Sequence, residues 1–260
     1  MAFAQSARPI EGAVATLGVS DRVSFLRKTY AHLGVALLAF AAITGGMIRF
    51  MPETSWGFSR WALSGQWNWL AVLGLFMLVG YVAERLARSN TSRALQYGGL
   101  GLAVVAEGVL LQPMIWILML RFGAGGVTKA KDGSYPIPDM SGMAGTILME
   151  AIVVTLAIFI GLTLVVFLTK KDFSFMRGAL VCCSFAALGV ILASMLFGFH
   201  LGAIFSGLMI LLMAGYILYQ TSLIMKEFPP TAFVAASLML FSTIATLFWY
   251  VLRLLMSLRD

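Results

Sequence analysis

The sequence predicts an all-α integral membrane protein with seven transmembrane helices, and three observations carry that prediction. Hydrophobic residues make up 60% of the 260 residues and charged residues only 11%, against about 25% charged in a typical soluble domain. A chain so poor in charge cannot cover a water-facing surface, so lipid covers much of it. Seven stretches are apolar over the roughly 20 residues that a crossing helix needs. The basic residues gather in short clusters between those stretches, which is how membrane proteins set their orientation. The net charge of +7 is therefore read as topology, not as a nucleic-acid footprint. The bilayer is the partner implied, and no nucleic acid is expected.

Residues 1 to 29 hold Arg8, Asp21, Arg22, Arg27 and Lys28, with no compact apolar run before a cleavage site. They are expected to form a cytoplasmic tail, part of it disordered, and no cleavable signal is expected. The transmembrane domain then occupies residues 30 to 260. Its first span runs from Tyr30 to Phe50, and Pro52 follows because proline cannot continue a helix. The second span runs from Trp67 to Ala87, and Trp56, Trp61, Trp67 and Trp69 crowd its outer flank as interfacial tryptophans do. The third runs from Ala94 to Leu120 and should kink at Pro113.

A long connection from Arg121 to Gly142, rich in glycine and proline, reads as an exposed loop. The fourth span runs from Ala144 to Leu168 and the fifth from Met176 to Phe197. Gly198-Phe199-His200 makes a tight turn into the sixth, Leu201 to Met225. Pro229 and Pro230 separate it from the seventh, Thr231 to Leu258. With the N-terminus inside, eleven basic residues fall on the inner side and six on the outer, Arg49, Arg60, Lys129 and Lys131 among them. That bias favours a cytoplasmic N-terminus, and an odd number of spans puts the C-terminus opposite.

Charge within the hydrocarbon is costly, so each ionisable residue there is a functional candidate. Glu107 sits near the middle of the third span. Two readings stay open for it: a proton-sensitive or cation-binding group, and a neutral glutamic acid hydrogen-bonded to a neighbouring helix. Glu150 and Arg253 lie at similar depth in the outer half of the fourth and seventh spans. They either pair with each other or reach separately toward the outer interface. Gln220, in Tyr219-Gln220-Thr221, does not titrate and suits interhelical hydrogen bonding. His32 and His200 read as interfacial, and Cys182 and Cys183 as small apolar residues in a helix.

The sequence contains neither a phosphate-binding glycine loop nor an HExxH pair. Ser206 and His200 make only a faint echo of an intramembrane serine protease. No enzyme activity and no cofactor or metal centre is expected.

Four stretches carry a family resemblance: FLRKTYAHLGVALL from Phe25, QYGGLGLAVVAEG from Gln96, GLTLVVFLTKKDFSFMRG from Gly161, and GYILYQTSLI from Gly215 with TLFWYVLRLL at the end of the seventh span. TKKDFSF is the most specific. The chain resembles the Bax-inhibitor-one family, also called the transmembrane Bax inhibitor motif family, in a bacterial-type form. The resemblance implies a central seventh helix wrapped by the other six and a cytosolic N-terminus, in the inner membrane if the source is bacterial. It also implies a pH-regulated calcium leak and suppression of cell death or stress, with control of a membrane protease in some bacterial members. The expected partners are thus calcium ions or another membrane protein.

The family's pH sensor is a pair of aspartates, one each in the sixth and seventh helices. Here the matching positions are Gln220 and Thr243. Arg253 matches the family's arginine late in the seventh helix, and Glu150 a glutamate of some bacterial members. Two close carboxylates share a proton and form a switch, whereas glutamine and threonine cannot. A neutral hydrogen bond between Gln220 and Thr243 would instead join the two helices, much as a permanently protonated pair would. The pH response is therefore expected to be altered or lost.

Overall fold

The computed structural model describes residue 14 and residues 18–89, 92–125, 136 and 139–259. Among these residues the chain forms helices α1 (Val19–Phe50), α2 (Pro52–Leu63), α3 (Gln66–Ala87), α4 (Arg93–Leu110), α5 (Gln112–Phe122), α6 (Met143–Thr169), α7 (Arg177–Phe197), α8 (Ala203–Lys226) and α9 (Phe233–Ser257). Seven helical segments are long and apolar enough to cross a membrane, with α4 and α5 together making the third. Large apolar side chains such as Leu75, Ile160, Phe185 and Leu208 point outward from the bundle. A water-facing surface would be destabilised by them, but a lipid-facing one is not.

Two elements differ from the sequence expectation. Helix α1 starts at Val19, not at Tyr30, because Phe25 and Thr29 find burial against the bundle. Val14 is also packed, its amide donating to Phe228 O at 2.9 Å. Of the tail expected over residues 1–29, residues 1–13 and 15–17 lie outside the described ones, as do Lys129 and Lys131. Second, Pro52 does more than stop α1. It opens α2 at its first turn, where a residue without an amide proton is tolerated. At Pro113 the expected interruption falls within one continuous span: α4 ends at Leu110 and α5 begins at Gln112 with the proline in its first turn, while Leu111 between them keeps helical dihedrals.

α2 is a short helix buried on Ser55, Ser59 and Ala62. Ser55 donates to Gln112 Oε1 at 2.7 Å and accepts from Trp116 Nε1 at 2.8 Å. Trp56 packs edge-on against Trp116 and Trp69 stacks on Trp249. Only Trp61 and Trp67 of the four tryptophans are largely exposed, as interfacial anchors should be.

The core is built on α9, which packs against α1, α3, α4, α6 and α8. Its burial is near-continuous, whereas α7 packs principally on α8 and is mostly lipid-facing. α3 and α4 approach closely at Gly99, where a Cβ would lie 2.5 Å from Ala83 O. Only glycine permits that contact. The turn after α7 uses Gly198 at φ 73°, a left-handed cap that glycine adopts without strain.

Candidate functional site

Gln220 lies on α8 and Thr243 on α9, both buried. These two helices share the most extensive contact in the bundle. The Thr243 hydroxyl donates to Gln220 Oε1 at 2.9 Å, and Met239 O, 3.1 Å away, is a second acceptor for the same proton. The bond spans two helices, carries no net charge and lies among the most buried side chains of α9. Nearby, Ser237 ties α9 to α1 by donating to Thr29 O at 2.9 Å.

Glu107 is buried in α4, and its carboxyl makes no hydrogen bond or ion pair among the described residues. The hydrogen bond to a neighbouring helix offered as one reading of it is therefore not formed. Glu107 makes no hydrogen bond to Gln220 or Thr243.

The Glu150–Arg253 pair is likewise not formed. Arg253 donates to Leu201 O at 2.6 Å and so fastens α9 to the turn between α7 and α8. Glu150 takes Arg259 instead, whose Nη2 lies 2.6 and 2.8 Å from its two carboxylate oxygens. Both side chains thus reach separately toward the same end of the bundle, because Arg259 extends past the end of α9 at Ser257. The Ser206 hydroxyl is buried and has no hydrogen-bond partner among the described residues, a histidine base included. Cys182 and Cys183 are free and exposed on α7.

A cavity of about 1070 Å³ opens between α1 and α6, lined by Phe40, Thr44, Thr155, Ile244 and Phe248 among others. Neither Glu107, Gln220 nor Thr243 lines it.

One further polar junction was not singled out from the sequence, although it lies in the TKKDFSF segment. Lys170 turns the chain out of α6 with φ 51°. Asp172 then accepts from Ser174 N at 2.9 Å and pairs with Lys226 Nζ at 3.0 Å. Phe173 N donates to Ser222 Oγ at 3.2 Å. The loop between α6 and α7 is thereby clamped to the end of α8. Partial burial works against the Asp172 carboxylate, but the hydrogen bonds from Ser174 and the ammonium of Lys226 outweigh it. They hold its pKa down to about 2. The signal in the sequence was the concentration of hydrogen-bonding residues directly after an apolar run.

Fold and site together define a class: a seven-span α-helical membrane protein organised around a buried last helix. A family model described as "Inhibitor of apoptosis-promoting Bax1" matches residues 135–260. Over 247 residues the chain is 29% identical to Bax inhibitor 1 of Schizosaccharomyces pombe, covering 93% of this chain and 79% of that protein. It is 32% identical over 114 residues to the Golgi anti-apoptotic protein of vaccinia virus (strain Lister), covering 42% of this chain and 46% of the relative. It is also 31% identical over 83 residues to an uncharacterized protein of Pseudomonas aeruginosa, covering 32% and 35%. No solved structure matches. The chain is thus similar to the Bax inhibitor-1 family, through the family model over residues 135–260 and through the yeast protein over most of its length.

Proposed function

We propose that this protein is a cation leak channel, with calcium the expected ion, whose core contact is neutral and does not titrate. The observation that carries the reading is the buried bond from Thr243 to Gln220. It occupies the positions where the family resemblance expects two aspartates. A carboxylate pair gains and loses a proton, and its mutual repulsion changes with pH. An amide and a hydroxyl keep the same interaction at every physiological pH. The leak is therefore low and does not rise or fall through this pair. Glu107, the one buried carboxyl among the described residues, is the candidate group for any remaining pH response.

The test is calcium flux into dye-loaded liposomes containing the purified protein, between pH 6 and 8. Flux above empty vesicles that loses its pH dependence in Glu107→Gln supports the reading. No flux above empty vesicles at any pH removes it.

A second reading is a non-conducting regulator that binds another membrane protein, such as a membrane protease or a partner in cell-death or stress control. One observation favours it: the cavity between α1 and α6 does not reach Glu107 or Gln220. The names of the yeast and viral relatives point the same way. This reading expects specific copurification of a partner and no effect of Glu107→Gln.

A further inference from the structure

Helices α4 and α9 begin side by side. Arg93, the first residue of α4, lies over the ring of Phe233, the first residue of α9, at 4.8 Å from its centroid. Each of these residues also opens a membrane-spanning segment. Lys28 of α1 reaches the same ring, its Nζ 5.7 Å from the centroid. Arg93 and Lys28 are both exposed, and neither makes an ion pair among the described residues.

The Arg93 guanidinium is held in place through one nitrogen. Its Nη1 donates to Gln96 Oε1 at 3.1 Å and to Thr231 O at 3.0 Å, which uses both of that atom's protons. Gln96 is itself fixed, its amide donating to Ser89 O at 2.7 Å. Nε and Nη2 of Arg93 have no acceptor among the described residues. On a planar guanidinium these two nitrogens form one edge, a pair of parallel donors spaced for two oxygens of an oxyanion. His32 ties the Lys28 backbone to α4. Lys28 O can only accept, so His32 Nδ1 donates to it at 2.7 Å, and Nε2 accepts from the Tyr97 hydroxyl at 3.0 Å.

The local field has one sign. Neither α4 nor α9 carries an acidic residue in its first turn, and α9 has no side-chain cap. The positive partial charges of two helix starts therefore add to the two cations. The surroundings decide what balances them. Leu95 and Tyr97, in the first two turns of α4, are 42% and 45% exposed. The free edge of Arg93 thus stands where an apolar, lipid-facing helix surface begins, the level at which a bilayer presents its headgroups.

We infer that the corner formed by the starts of α4 and α9 binds the phosphate of an anionic lipid headgroup, two of its oxygens on Nε and Nη2 of Arg93, with Lys28 balancing further negative charge. A choline headgroup brings the same phosphate with a fixed cation beside it, which Lys28 and the two helix starts oppose. The corner therefore favours phosphatidylglycerol over phosphatidylcholine. The inference is independent of ion conduction.

The experiment takes the full chain from nanodiscs of equal phosphatidylglycerol and phosphatidylcholine into mild detergent and counts the retained lipids by native mass spectrometry. Wild type is expected to retain one phosphatidylglycerol in preference to phosphatidylcholine. Arg93→Gln should lower that retention about tenfold, as loss of a charged hydrogen-bonding partner does. Arg93→Lys keeps the charge without the paired edge and should recover only part of it. The Lys28 ammonium makes no hydrogen bond among the described residues, so Lys28→Gln tests the corner even where Arg93→Gln folds poorly, with an expected loss of about threefold. Lys171→Gln removes the same charge from an exposed position after α6 and should change nothing. Equal losses in Lys171→Gln and Arg93→Gln would mean attraction to basic surface at large and overturn the inference. Equal retention of the two lipids by wild type overturns it, as does retention unchanged in both Arg93→Gln and Lys28→Gln. Displacement of the lipid by millimolar inorganic phosphate would reveal a site for free oxyanions and overturns it too.

Discussion

Helix α8 is fastened at two places that differ in kind. At Gln220 it meets α9 through a neutral hydrogen bond in the core. At Lys226, at its end, it meets the loop after α6 through an ion pair with Asp172, whose side chains keep 38% and 46% of their exposure. The difference follows from the solvent. Deep in the bundle a charge pays a large desolvation cost, and an amide with a hydroxyl pays a small one. At the end of the helix water and neighbouring amides support the carboxylate, so charge is tolerated. One junction is thus strong for its size and blind to pH. The other is ionic, and titrates only in acid.

The largest expected effect separates the two junctions by chemistry. Thr243→Val leaves the Gln220 carbonyl buried without its donor and should cost about 1–2 kcal/mol, read from unfolding in mixed micelles. Gln220→Leu with Thr243→Val should cost less than the two single changes added, because no polar atom is left stranded. Full additivity would mean that the bond contributes nothing.

Next comes the clamp. Asp172→Ala removes an acceptor from Ser174 N as well as the ion pair, and should cost about 1 kcal/mol. Lys226→Met removes only the exposed pair and should cost about 0.5 kcal/mol or less. High salt should shrink that smaller effect and leave Thr243→Val unchanged.

The smallest effect is the pH dependence of the clamp. Asp172 in the folded chain has its pKa held at about 2, below the roughly 3.9 of an unfolded aspartate. Its contribution is therefore complete above about pH 4 and is lost as the pH falls toward 2. Asp172→Asn should flatten stability against pH only below 4, in a titration of the unfolding midpoint. A change between pH 6 and 8 would contradict the pairing described.

The seven spans were legible because a run of about 20 apolar residues has few alternatives to crossing lipid. The Gln220–Thr243 contact was legible because Gln220 falls inside a recognisable stretch of the sixth helix and Thr243 lies three residues before one in the seventh. Partner choice was not. Arg253 and Glu150 have matching depth, yet depth says nothing of which way a side chain faces around its helix, and Arg259 reached Glu150 first. α2 was hidden because Pro52 reads equally as the end of one helix and the beginning of the next. The cleft between α1 and α6 has no sequence signature of its own, since it is the space left where two helices pack on a third.

The most direct measurement introduces Gln220→Asp with Thr243→Asp and compares calcium flux in liposomes with wild type from pH 6 to 8. The neutral contact predicts that wild-type flux does not vary through this pair and that the double variant gains a pH-dependent leak. A double variant with the same pH profile as wild type would show that the contact between α8 and α9 does not set the gate.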